Sequence, residues 1–70
     1  MPEKYLKKLG QNIRSIRKSK KLSQEKLAEL IGKSRNYIGM IERAECNVPS
    51  KTLFEIAIAL NTHPKEFFDF

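Results

Sequence analysis

The sequence holds a single cysteine and a single histidine in 70 residues. The lone thiol, Cys46, has no second cysteine to bridge to, so a reducing, cytoplasmic compartment is expected. One imidazole, one thiol and scattered carboxylates supply neither a four-ligand zinc set nor a nucleophile with its base and orienting partner. No enzyme activity, metal, cofactor or small-molecule ligand is therefore expected. No stretch approaches the roughly 18 consecutive apolar residues of a membrane span. The opening MPEKYLKKLG also lacks the apolar run of a secretory signal. Internal repeats, linkers and low-complexity tracts are missing. Acidic residues are in deficit, with 14 Lys and Arg against 8 Asp and Glu, a net charge of +6 and a pI near 9.7. That excess favours a polyanion, nucleic acid first and an anionic membrane surface second.

A chain of this length makes one domain, residues 1–70, with a small core and economical packing. Hydrophobic residues are 40% and charged residues 31% of the total. The balance suits a soluble helical domain rather than a disordered tail.

The stretch from Leu22 to Ala44 carries the clearest local signals. Ser23 is an N-cap, and the helix after it runs from Gln24 to about Ile31, with Leu27, Leu30 and Ile31 on one face. Gly32 stops that helix where a positive φ costs glycine little. Ser34 caps the next helix, which buries Ile38 and Ile41. Its other side presents Arg35, Asn36, Gly39, Met40 and Arg43. A helix this short that exposes such a face is expected to read something with it. Arginine bonds guanine O6 and N7 together, asparagine bonds adenine N6 and N7 together, and Met40 suits a thymine methyl. If the face reads DNA, the base-reading set is Arg35, Asn36 and Met40; the plainer alternative is an ordinary solvated helix surface.

On these residues the chain resembles the phage repressor/Cro (XRE-type) helix-turn-helix family. The resemblance is carried by Ser23-Gln24-Glu25, Leu27-Ala28, Gly32, Ser34-Arg35, Tyr37-Ile38 and Ile41-Glu42-Arg43, and extends over nearly all of the chain from about Lys8. Within the family it most resembles restriction–modification controller proteins, through length, the stretch Arg35 to Arg43 and a C-terminal Phe pair. The resemblance implies an all-α, five-helix, lambda repressor-like DNA-binding domain, with its motif at about 23–43. It implies double-stranded DNA as partner and a homodimer on a palindromic operator. The chain would then be a bacterial, phage or plasmid product of the nucleoid. Backbone contacts are expected from Gln24, Ser34, Tyr37, Arg43 and Lys21, with Asn47 and Lys51 weaker candidates; Tyr37 is equally readable as packing. It further implies that Arg17 and Glu42 form a structural ion pair.

The flanks complete the reading. A first helix follows from Leu6, Leu9, Ile13 and Ile16, ending near Lys18, with Met1 to about Tyr5 fraying or starting the helix late. Gly10 within it signals either close packing or mere tolerance. A fourth helix, Lys51 to Leu60, is capped by Ser50, buries Leu53, Ile56, Ala57 and Leu60, and ends at Asn61. His63 caps a last helix that has Pro64 at its first position and Glu66 as the acidic half of a capping box. Phe54, Ile58, Phe67, Phe68 and Phe70 exceed what a small core needs, and part of this set is expected to form a two-fold dimer patch. Two other classes remain open, an antitoxin-type protein-interaction module and a non-specific nucleic-acid binder. Cys46 reads as a loop or packing residue, with a redox-sensing thiol as the less favoured alternative.

Overall fold

The computed structural model describes residues 2–70. Four α-helices follow in order: α1 Glu3–Ser19, α2 Gln24–Ile31, α3 Arg35–Glu42 and α4 Ser50–Ala59. A short 3₁₀ helix, Pro64–Phe68, closes the chain, and no strand occurs among the described residues. The fifth helix expected from sequence is thus a 3₁₀ turn. The His63 ring nitrogen Nδ1 accepts from the Lys65 amide at 3.1 Å, and the Glu66 amide donates to the His63 carbonyl at 3.0 Å. The cap is therefore the His63 ring itself, and Glu66 stays exposed. The turn Pro64–Phe68 is only five residues long, too short a run for α-helical bonding to repeat.

Two other boundaries shift. α1 starts at Glu3, earlier than expected, and Met1 lies outside the described residues. Pro2 holds an extended ψ of 144° and its carbonyl accepts from the Tyr5 and Leu6 amides. Glu3 adds an acidic charge in the first turn, where the helix dipole favours one. In α4 Ser50 is the first helical residue rather than the cap. Pro49 already takes the extended flanking conformation, and its carbonyl accepts from Leu53 at 3.0 Å.

All four α-helices end the same way. Each end has a residue in the left-handed region: Lys21 (φ 61°), Ala44 (φ 59°) and Asn61 (φ 51°) directly after the cap, and Gly32 (φ 70°) as the cap itself. At each end the next amide reaches back to a carbonyl five residues earlier: Leu22 to Arg17, Lys33 to Ala28, Glu45 to Met40 and Thr62 to Ala57, at 2.8–3.2 Å. This double-bonded end satisfies carbonyls that have no partner inside the helix.

α1 supplies Leu6, Leu9 and Ile13 to the core, α2 Leu27 and Ala28, and α3 Ile38 and Ile41. α4 supplies Leu53, Ile56 and Ala57, and Leu60 follows it. Phe67 is completely buried beneath the 3₁₀ turn. This corrects the expected dimer patch, which had included it. Asn12 on α1 pins the turn by donating from Nδ2 to the carbonyls of Phe67 (3.0 Å) and Asp69 (3.3 Å). Leu30 is a second correction, being 51% exposed rather than facing inward. Leu27, Ala28 and Ile31 define the inner side of α2, and Leu30 falls roughly a sixth of a turn outside that arc.

α1 is pressed directly against α3 at Gly10. A Cβ there would lie 2.5 Å from the Ile41 carbonyl oxygen and 2.8 Å from that of Glu42. Glycine at this position lets the backbones approach, and the contact sets the last turn of α3 against α1.

Candidate nucleic-acid interface

Two serines start α2 and α3, and one glycine turns the chain between them. Ser23 Oγ accepts from the Lys26 amide at 3.0 Å, and Ser34 Oγ accepts from the Tyr37 amide at 3.1 Å. Gly32 makes the left-handed bend between them. α3 is then docked by Ile38 and Ile41, which are 0% and 1% exposed. Arg35 and Asn36 on its other side are open to solvent.

Arg35 and Asn36, the first two residues of α3, are both exposed. Asn36 Nδ2 lies 3.7 Å from Met40 Sδ, and Met40 is half-buried. Tyr37 is half-buried and packs against the core, on the side where packing rather than solvent dominates. Lys21 and Asn47 are exposed, as is Ser34 around its capping oxygen. Gly39, expected on the open face, is buried, because the Arg43 side chain covers it.

Arg17 and Glu42 meet in a two-pronged pair. Nε donates to Oε2 at 2.6 Å and Nη2 to Oε1 at 3.0 Å, with side chains 8% and 2% exposed. Arg17 Nη1 also donates to the Leu22 carbonyl at 2.8 Å. Gln24 joins the network, Nε2 donating to Glu42 Oε1 at 3.0 Å. The carboxamide expected to touch a phosphate is therefore turned partly inward, with its oxygen left over. The pair ties α1, the α1–α2 loop, α2 and α3 at one point, and no buried side-chain nitrogen or oxygen is left unpartnered among the described residues.

Around this network lies a shallow concavity lined by Arg14, Arg17, Ser23, Gln24, Arg35 and Arg43, with Glu25 and Glu42. The structure thus brings Gln24, Arg35 and Arg43 together with the ion pair. Lys21, Tyr37 and Asn47 do not line it. Arg14 belongs to the concavity and was missed from sequence. Its signal was available, since Arg14 stands one turn before Arg17 on α1, and the partner of Arg17 is on α3.

Arg43 is tied to Glu45, with Nε to Oε2 at 3.0 Å and Nη2 to Oε1 at 3.1 Å. The hydrogen bond from Arg43 holds the Glu45 carboxyl below its ordinary pKa, and the same bond holds Arg43 above its own. Burial, with Glu45 nearby, pushes the Cys46 thiol up. That shift is opposite to what a redox-sensing thiolate needs.

The HTH_3 helix-turn-helix family matches residues 13–67, more than half of the chain. The chain belongs to this helix-turn-helix family. A control protein of Serratia marcescens, C.SmaI, is 54% identical over 77% of this chain and 64% of its own length. The chain thus spans a little under two thirds of that relative. Control protein C.BamHI of Bacillus amyloliquefaciens is 45% identical over 87% of this chain and 76% of its own length. Among solved structures, the restriction-modification controller protein C.AhdI from Aeromonas hydrophila superposes with a TM-score of 0.87 at 44% identity. That match covers 90% of this chain and 96% of that one. As a helix-turn-helix domain the chain has the all-helical fold expected from its sequence. No described helix is long and apolar enough to cross a membrane.

Proposed function

We propose that this chain is a sequence-specific transcription regulator that binds a palindromic operator as a homodimer through the major groove. The observation that carries the reading is the placement of Arg35 and Asn36. Both are exposed at the N-terminal end of α3, while Ile38 and Ile41 keep the underside of the same helix docked. In helix-turn-helix proteins that end enters the groove. Arg35, Asn36 and Met40 are assigned to base edges. Ser34, Tyr37, Lys21 and Asn47, with the side-chain oxygen of Gln24, are assigned to the phosphate backbone, where contacts position rather than specify.

Phe54 (56% exposed) and Ile58 (80% exposed) on α4 support the dimer. Leu30 extends the same apolar surface, since Leu30, Ile31 and Ile58 line one groove. Phe68 and Phe70 are exposed too, with Phe70 stacked on Tyr5 at 5.8 Å between ring centroids. Dimers of this motif place two recognition helices about 34 Å apart on one face of the duplex.

Selection from a random duplex library tests the reading. A palindromic consensus is expected, and Arg35→Ala should erase preference at one symmetric guanine. Lys21→Ala should instead weaken all duplexes alike and lower the salt slope by about one. Sedimentation showing only monomer at tens of micromolar, with single half-site binding, would refute the dimer. A complex with a protein partner that survives high salt would favour an interaction module over DNA binding, because phosphate-driven binding falls steeply with salt. Equal affinity for random and selected duplexes would favour a non-specific binder.

A further inference from the structure

The open face of α3 has a gap in its middle and a guanidinium that fills it. Gly39 contributes no side chain. A Cβ at Gly39 would lie 2.8 Å from Arg43 Nη1 and 3.5 Å from Arg43 Cζ. Arg43, one turn later, folds back along the helix, the direction helical side chains favour. The side chain lines the same concavity as Arg35 and Gln24.

The guanidinium is also held in one orientation. Glu45 takes Nε and one hydrogen of Nη2 along the long edge of the fork. The opposite end, both hydrogens of Nη1 and the second of Nη2, is uncommitted, since Arg43 makes no other side-chain hydrogen bond among the described residues. That pair of adjacent donors is the one that fits guanine O6 and N7. Glu45 reaches this place because Ala44 adopts φ 59°, a left-handed conformation unfavourable for alanine. The bend is closed by the Glu45 amide donating to the Met40 carbonyl at 2.8 Å. A backbone strained at a non-glycine residue thus places a carboxylate against the side of an arginine on the recognition face.

We propose that Arg43 is a second base-reading residue, aimed at a guanine across Gly39, and that Glu45 is the residue that positions it. This rests on the DNA-binding reading above and replaces the phosphate role expected for Arg43. A phosphate contact needs charge and little orientation, and Glu45 cancels the charge while fixing the orientation. The net effect of Glu45 is to lower general DNA affinity in exchange for preference at one position.

The test is duplex selection and titration on the intact chain with wild type, Arg35→Ala, Arg43→Lys, Glu45→Gln and Gly39→Ala, each checked for a native melting curve. Arg43→Lys removes the fork, Glu45→Gln loosens it, and Gly39→Ala pushes it aside with a Cβ. All three should lose about tenfold or more of the preference for guanine at one symmetric position. That position differs from the one lost in Arg35→Ala. Glu45→Gln should bind random duplexes more tightly than wild type, while Arg43→Lys should keep its salt slope. If Glu45→Gln tightens every duplex equally and leaves the preference profile unchanged, the pair is only surface neutralisation and the proposal is overturned. If only Arg35→Ala alters the profile, the proposal fails while the DNA-binding reading stands. A wild type without any preference overturns both.

Discussion

Two arginine–carboxylate pairs flank α3, alike in bonding and opposite in setting. Arg17–Glu42 and Arg43–Glu45 are both two-pronged, at 2.6 and 3.0 Å in one and 3.0 and 3.1 Å in the other. The first is 8% and 2% exposed, the second 54% and 51%. Burial decides what each can do. The inner pair cannot lose a member without leaving a charge in a poor dielectric, so it is committed to structure. The outer pair is bathed in water, contributes little to stability and leaves donors free for a partner. Shared chemistry therefore gives a girder on one side of the helix and an aimed group on the other.

The largest effect should come from breaking the inner pair. Arg17→Met leaves Glu42 and Gln24 beneath α1 without the cation and should destabilise by about 3–5 kcal/mol. At roughly 4–8 °C per kcal/mol for a small domain, the melting temperature should fall by ten degrees or more. Arg17→Met with Glu42→Leu should recover much of that loss, because an apolar pair replaces a buried ionic one at little cost. A single variant that melts like wild type would erase the distinction between the two pairs.

The two helical glycines give a milder version of the same contrast. At Gly10 a methyl meets backbone carbonyls of α3, which cannot step aside. Gly10→Ala should therefore lose about 1–2 kcal/mol, the overpacking cost exceeding the helix-propensity gain. At Gly39 a methyl meets the far end of a flexible side chain. Gly39→Ala should match or slightly exceed wild type in thermal stability while changing DNA preference.

Helix ends extend the comparison. Ala44→Gly should stabilise by up to about 1 kcal/mol by relieving the left-handed φ, and Gly32→Ala should destabilise by about 1 kcal/mol for the converse reason. Paired thermal melts measure both. The smallest effect concerns pH. The depressed pKa of Glu45 means its contribution is present above the ordinary carboxylate range. It fades as the pH falls through the depressed value. Glu45→Gln should remove that acid-side component of the stability curve and change the neutral melting temperature little.

The site was legible to different depths in different places. Ser23, Ser34 and Gly32 announced the turn because small hydroxyl caps and a left-handed glycine are chemically specific to helix ends. Two of the four left-handed ends, Lys21 and Ala44, gave no such signal, because lysine and alanine adopt that conformation only when the packing around them requires it. The phenylalanines show the same limit. Periodicity marks Phe67 as apolar but does not say that Asn12 and α1 draw it fully inward while Phe54 and Phe70 stay out.

By itself the sequence determined the helices, their order and the identity of the open face on α3, since spacing of apolar residues and capping chemistry act within a few neighbours. Tertiary structure decided which charged groups are committed and which are free. Arg17, Arg43, Glu42 and Glu45 are two kinds of side chain, repeated. Only the approach of α1 at Gly10 and the bend at Ala44 bury one pair and leave the other at the surface. Solvation, which separates their roles, is a property of position in space and not of residue type.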